Sequence, residues 1–99
     1  MIIQVTYKGD GTPYTAAVVN APHAVIEEAL EYAFRWTQNI TGSWSNKIGE
    51  DANDNVEVCH YLNSGMGLRS SMVGDEFLVE VDKGFKKYEC MPMGFREVV

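Results

Sequence analysis

The stretch IIQVTYKGDGTPYTAAVV, residues 2–19, predicts two strands joined by a turn. In its first half every second residue is large and apolar or aromatic (Ile3, Val5 and Tyr7), and this period of two is typical of a strand. The segment KGDGTP supplies two glycines, an aspartate and a proline, which favour a turn. Because YTAAVV predicts the returning strand, we expect a β-hairpin over residues 2–19.

One clear helix follows the hairpin, and we predict it over residues 22–38. Pro22 stands where a first-turn proline is tolerated, and Glu27 lies near the positive end of the helix dipole. The helix is expected to stop near Asn39, because a Thr-Gly pair then interrupts the pattern. Apolar residues recur at helical spacing and predict a face buried against a sheet: Ile26, Leu30, Ala33 and Phe34.

A long polar loop, TGSWSNKIGEDANDN, separates this helix from the second half of the chain. There VEVCHYL predicts a short strand and DEFLVEVD predicts a strand with one apolar face. A tight turn then leads through FKKYECM to a last short strand, GFREVV. We therefore predict a single α+β domain over residues 1–99. Its antiparallel sheet carries one main helix, and the element order is ββαβββ.

Composition narrows the classes of function. Eight basic residues stand against fourteen acidic ones, and the net charge of −6 disfavours direct binding of nucleic acid. Acidity fits solubility, a basic protein partner or mimicry of nucleic acid. No apolar run approaches the roughly 18–20 residues that span a bilayer, and we expect a cytosolic protein. Cys59 and Cys90 have apolar neighbours, so we expect both to be buried, reduced and unlinked.

The chain contains no complete catalytic or metal-ligating motif. Cys59 and His60 are adjacent on a predicted strand, so their side chains point to opposite faces and cannot form a nucleophile–base pair. The segment EDANDNVE resembles the opening of an EF-hand loop, but it lacks the glycine at the sixth position, and Leu62 occupies the position of the bidentate glutamate. We therefore predict no catalytic residue, no metal and no cofactor.

The segment LRSSMVGD is the strongest candidate for a binding site. Arg69, Ser70 and Ser71 offer a guanidinium group and two hydroxyls, which suit a phosphate or carboxylate. A turn through Gly74 and Asp75 can also direct backbone N–H groups at an anion. The alternative is that this turn only leads the chain into the next strand, with Arg69 paired to a local acid and the serines capping. On the residues alone, this second interpretation is favoured.

Two tryptophans are candidate stacking surfaces. Trp36 lies on the predicted helix and is expected in the core. Trp44 lies among polar side chains, where it is either an exposed platform for a base or the one apolar residue that anchors its loop. As a platform, Trp44 would form one wall of a pocket and the Arg69 turn the other. On that hypothesis, Arg69→Ala leaves the fold intact and abolishes ligand retention.

The residues LRSSMVGDEFLVEV…KKYECMPMGFREV resemble the pattern R-S-x-S-V-G-D-h…Y…G-F, where h is apolar, of small proteins from phages and other mobile elements. The YodL-like domains carry a similar segment. The chain departs from the pattern at Met72, where a second hydroxyl is usual, and at Glu76, where an apolar residue usually opens the strand. The matching positions are Arg69, Ser70, Val73, Gly74, Asp75, Tyr88, Gly94 and Phe95.

The resemblance implies a non-enzymatic accessory protein that opposes host defence in the bacterial cytoplasm. In one mechanism the protein captures a small anionic signal of nucleotide type, with the phosphates on the Arg69 turn and the base on Trp44 or Trp36. In the other, its acidic face covers a nucleic-acid channel of a host protein. The predicted partner is thus a small anionic ligand or a host protein. We expect no direct contact with nucleic acid or with a membrane. Whether the protein forms a homo-oligomer stays open.

Overall fold

The computed structural model describes residues 1–8 and 11–99. Its elements are β1 (Ile2–Tyr7), β2 (Tyr14–Asn20), α1 (Ile26–Arg35), a 3₁₀ turn (Gly49–Asp51), β3 (Val56–Val58), β4 (Glu76–Val81), β5 (Gly84–Cys90) and β6 (Phe95–Val98). The α+β class is confirmed. The segment FKKYECM forms a strand of its own, so the order is ββαββββ and the predicted ββαβββ is one strand short.

All six strands form one antiparallel sheet, in the order β3-β2-β1-β4-β5-β6. The predicted hairpin over residues 2–19 is confirmed as β1 and β2, although the glycine and aspartate of its turn, residues 9 and 10, lie outside the described residues. β1 lies at the centre of the sheet because β4 pairs with its other side. β3 and β6 are the two edge strands.

The core lies between α1 and one face of the sheet. Strand residues alternate between faces, so every second residue of the central strands is buried. Leu30 is buried as predicted, whereas Ile26 and Phe34 lie at the margin of the helix face and are only half-buried. The fully buried side chains of β1, β4 and α1 include Ile3, Val5, Tyr7, Phe77, Val79, Ala29 and Ala33.

The helix is shorter at both ends than the predicted span of 22–38. It begins after Val25, which is extended and supplies no side-chain cap, so Pro22 precedes the helix. It ends at Trp36, and the hydroxyl of Thr37 then donates to the carbonyl of Ala33 (2.8 Å). Within residues 1–8 and 11–99, no helix is long and apolar enough to cross a membrane.

The two cysteines occupy different environments. Both are free, as predicted, but only Cys90 is buried, and the expectation that Cys59 is buried is wrong. β3 ends at Val58, and the N–H of Cys59 makes a last bond to the carbonyl of Ala16 (2.9 Å) before the chain leaves the sheet. The Cys59 thiol therefore lies at a surface.

Candidate functional site

The guanidinium group of Arg69 binds the carboxylate of Asp75 within its own turn. Nη1 lies 2.7 Å from Oδ2 and Nη2 lies 2.9 Å from Oδ1, which is a bidentate pair. The Asp75 side chain is fully buried, and that of Arg69 is 23% exposed. The guanidinium donors of Arg69, whose geometry would suit a phosphate, therefore bind a carboxylate of the protein itself.

Asp75 also orders the backbone around it. Its carboxylate accepts the N–H of Lys8 (2.9 Å) and the N–H of Met72 (2.8 Å). Gly74 has a φ of 96°, which favours glycine, and its N–H donates to the carbonyl of Cys90 (2.9 Å). The N–H of Asp75 donates to the carbonyl of Met72 (3.1 Å). These backbone donors, which could have faced an anion, are bonded within the protein.

The two serines join the turn to the end of α1. The hydroxyl of Ser70 accepts the N–H of Asn39 (2.8 Å). Ser71 is buried, and its hydroxyl bonds the side chains of Thr37 and Gln38. The N–H of Ser71 donates to the carbonyl of Thr37 (2.9 Å). Both hydroxyls therefore serve the packing of the turn against the helix.

Trp44 lies in the core, so its interpretation as an exposed platform is wrong. Its ring is fully buried and lies edge-on to Tyr7, with the ring centroids 6.2 Å apart. Its Nε1 donates to the carbonyl of Arg69 (2.9 Å). A buried indole commonly satisfies its N–H in this way while the ring supplies a large apolar contact. Trp44 therefore anchors its loop to the Arg69 turn.

Arg69 also contacts Tyr7, which lies at the end of β1. The central carbon of its guanidinium is 4.1 Å from the centroid of the Tyr7 ring, a cation–π contact. The Tyr7 hydroxyl donates to the carbonyl of Arg69 (2.9 Å). Burial raises the pKa of Tyr7 far above its usual value, against the lowering effect of Arg69, so the phenol keeps the proton that it donates.

Trp36 lies in a different cleft from the Arg69 turn and is half-buried. The guanidinium of Arg35 stacks on its ring, 4.2 Å from the centroid. Of the predicted ligand-binding residues, the structure brings six into one network of hydrogen bonds and packing and leaves Trp36 outside it. Those six are Trp44, Arg69, Ser70, Ser71, Gly74 and Asp75.

A second buried carboxylate, Asp51, organises the loop after α1. Its Oδ2 accepts the N–H groups of Ile40, Thr41 and Gly42 at 2.8, 2.8 and 2.7 Å. Nη1 of Arg35 lies 3.3 Å from Oδ1, an ion pair without hydrogen-bond geometry. Burial alone would raise the pKa of Asp51, but the N–H donors and Arg35 outweigh it and hold the pKa below its usual 3.8.

Sequence reasoning missed Asp51 because its segment was tested only as a metal-binding loop. Its three N–H donors come from residues 9–11 positions earlier, and nothing in the spacing indicates that the chain turns back on this carboxylate. Across the described parts of the chain, no three His, Cys, Asp or Glu side chains form a cluster that could hold a metal ion.

A groove runs between α1 and the β5–β6 hairpin. It consists of two adjoining clefts of about 220 and 130 Å³, and we call it the α1–β6 groove. Both clefts are lined by Glu31, Gly94 and Phe95, and neither by Arg69 or Trp44. The aromatic side chains that line the groove are Phe34, Tyr88 and Phe95, and the other apolar ones are Ile26, Leu30, Cys90, Met91 and Pro92.

The border of this groove is acidic. Glu27 and Glu31 stand one turn apart on the same side of α1 and are exposed. Glu97 is the strand partner of Tyr88, so the two side chains share a face of the sheet. Burial raises the pKa of Tyr88, and the carboxylates of Glu97 and Glu27 raise it further.

The two clefts are lined by no lysine or arginine. Lys87 directly precedes Tyr88 on β5 and therefore points to the opposite face of the sheet, whereas Lys86, two residues before Tyr88, is the nearest basic residue of β5 on the same face. The groove was not predicted from the sequence. The sequence feature that could have indicated the groove is the acidic pair Glu27 and Glu31 beside the apolar Ile26 and Leu30.

Comparison with known proteins gives no match to a family model, a curated protein or a solved structure. The resemblance to small phage proteins therefore stays a prediction, carried by residues of the last third of the chain. These residues have two locations in the structure. Arg69, Gly74 and Asp75 build the internal network, whereas Tyr88 and Phe95 line the α1–β6 groove.

Proposed function

We propose that the protein is a non-enzymatic interaction module that binds a basic segment of a host protein through the α1–β6 groove. The proposal follows the second mechanism that the phage resemblance implies, an acidic inhibitor of a bacterial defence protein. The observation that carries it is the groove itself, in which apolar side chains are bordered by Glu27 and Glu31, and Glu97 lies beside the groove residue Tyr88 on the sheet.

The two parts of the groove supply different components of binding. Burial of apolar surface, worth about 25 cal/mol per Å², provides affinity at the half-buried side chains of Ile26, Phe34 and Phe95. The carboxylates favour partners with a positive charge and accelerate their encounter. The net charge of −6 acts in the same direction over longer range. Protein segments with an arginine or lysine beside an apolar side chain satisfy both parts.

The first mechanism, capture of a nucleotide at the Arg69 turn, has less support from the geometry. A phosphate there would compete with Asp75 for the same guanidinium, and it would have to displace a buried bidentate pair. Trp44 offers no free ring face, because it is buried. Native mass spectrometry of the protein from bacterial lysate gives a direct readout, since retained nucleotide would favour the first mechanism.

Site-specific photocrosslinking in bacterial cells tests the proposal. A crosslinking amino acid at Glu31 lies in the groove. The matched control at Glu57 is also exposed but lies on the opposite face of the sheet, since its neighbour Val56 is buried towards the core. We expect position 31 to yield one adduct, whose partner peptide carries Lys or Arg beside an apolar residue. Equal adducts at both positions, or none at position 31, would contradict the proposal.

A further inference from the structure

β6 borders the groove and is also an edge of the sheet. Within residues 1–8 and 11–99, no strand lies on its outer side. An edge strand presents unused backbone N–H and C=O groups, and an extended segment can pair with them. The edge strand Phe95–Val98 therefore meets the apolar groove at Phe95.

The ladder determines which backbone groups face outward. Cys90 directs both its N–H and its C=O away from β6, towards the residues just before β4: its N–H donates to the carbonyl of Asp75 and its C=O accepts the N–H of Gly74, at 2.9 Å each. In an antiparallel ladder the direction alternates, so Glu89 and Lys87 direct theirs towards β6. Their partners are Arg96 and Val98. The backbone groups of Phe95 and Glu97 consequently point away from the sheet.

We infer that β6 accepts an extended segment of the protein partner as a seventh strand of the sheet, with an apolar side chain opposite Phe95 and a basic side chain opposite Glu97. This inference rests on the proposed function and specifies its binding mode. Side chains opposite Phe95 and Glu97 share their face of the sheet, which is the face of the groove. Paired antiparallel to β6, the segment would therefore read basic, any residue, apolar from its N-terminus.

Charge determines this choice of occupant. Glu97 lies opposite Tyr88 on the sheet, and Glu27 lines the same cleft as Tyr88, so a basic side chain opposite Glu97 is favoured there. A second copy of the chain is a poorer fit. Antiparallel pairing of two β6 strands about a twofold axis, centred on the strand, would oppose Arg96 to Arg96 or Glu97 to Glu97, and opposed like charges are unfavourable.

Capped peptides and NMR test the inference. The probe is acetyl-Thr-Val-Thr-Lys-Thr-Val-amide, whose valines and lysine alternate on one side when extended. We expect it to slow hydrogen exchange at the amides of Phe95 and Glu97. The amides of Arg96 and Val98 serve as internal controls, because they already bond β5. Their exchange should change little.

Two matched peptides separate backbone pairing from charge. N-methylation at the lysine and the second valine removes the N–H donors that face Glu97 and Phe95 of β6, and we expect roughly a tenfold or greater loss of affinity. A glutamate in place of lysine should bind more weakly than the probe, and Glu97→Gln should weaken the lysine peptide about two- to fivefold.

Failure of the binding mode can be distinguished from failure of the proposed function. Equal binding of the N-methylated peptide would overturn strand addition while leaving the groove as a docking site. No binding of the lysine peptide, or equal binding of the glutamate peptide, would also overturn the inference. The proposed function is judged separately, by the adduct at position 31 in cells.

Discussion

Arg69 and Asp75 form the buried ion pair that holds the turn before β4. Without the guanidinium, the Asp75 carboxylate would keep only the N–H groups of Lys8 and Met72 within a dry environment. Removing one partner of a buried pair costs roughly 3–5 kcal/mol. We therefore expect Arg69→Ala to lower the free energy of unfolding by this amount in urea titrations, which revises the expectation that it leaves the fold intact.

Arg96 provides the matched control for this substitution. It also pairs with a carboxylate, that of Glu89, but its side chain is 64% exposed. Exposed pairs contribute about 0–1 kcal/mol, so Arg96→Ala should change stability little. If both substitutions had the same small effect, the Arg69 guanidinium would not be needed by the fold, and its assignment to ligand binding would regain support.

The sequence offered both roles for Arg69, and distant residues decide between them. The contacts that bury its turn come from Tyr7 and Lys8, which lie 62 residues before Arg69 and 67 residues before Asp75 in the chain. Local composition cannot report such contacts. For Trp44 the same holds, because its acceptor, the carbonyl of Arg69, is 25 residues away.

The loop between α1 and β3 depends on Asp51. Its folded-state pKa is lowered, so its contribution to stability is fully present above 3.8, the usual value, and is lost as the pH falls through the folded-state pKa. Asp51→Asn should therefore be less stable than the native protein at neutral pH, and the difference should shrink in acid. Urea unfolding between about pH 7 and pH 3 measures this change.

The control for Asp51 is Asp54, an exposed aspartate three residues away. Asp54→Asn should have a similar stability to the native protein across the same pH range. If the difference in free energy of unfolding between Asp51→Asn and the native protein did not change with pH, the negative charge of Asp51 would not be what stabilises the loop. The loop would then be held by packing, chiefly of Trp44.

The elements differ in how far their local pattern predicts them. The hairpin β1–β2 and the strand β4 were predictable because their apolar residues alternate within a few positions. β3 is shorter than VEVCHYL suggests, since its pairing with β2 stops at Val58. The start of α1 was placed too early, because apolar spacing does not report the missing side-chain cap at Val25.

The distribution of charge over the whole molecule favours a basic partner. Among residues 1–8 and 11–99, five of the eight basic side chains pair with acids of the protein itself: Lys8, Arg35, Arg69, Lys87 and Arg96. A sixth, Lys47, donates to the backbone carbonyls of Asn53 and Val56. Most positive charge is therefore locally neutralised, while Glu27 and Glu31 remain exposed at the groove.

This distribution leads to a prediction about nucleic acid. Binding to phosphates requires lysines and arginines that can release counterions, and in this protein most of them contact acids of the same chain. We therefore expect no mobility shift with duplex DNA or single-stranded RNA, even at about 50 mM salt, where electrostatic binding is strong.

The triple variant Glu27→Lys, Glu31→Lys and Glu97→Lys, which brings the net charge from −6 to zero, is the control. It should shift RNA at low salt and release it at about 200 mM, because its contacts are made through charge alone. A shift by the native protein that persists at about 200 mM would contradict the prediction, and it would remove the charge argument for a basic protein segment at β6.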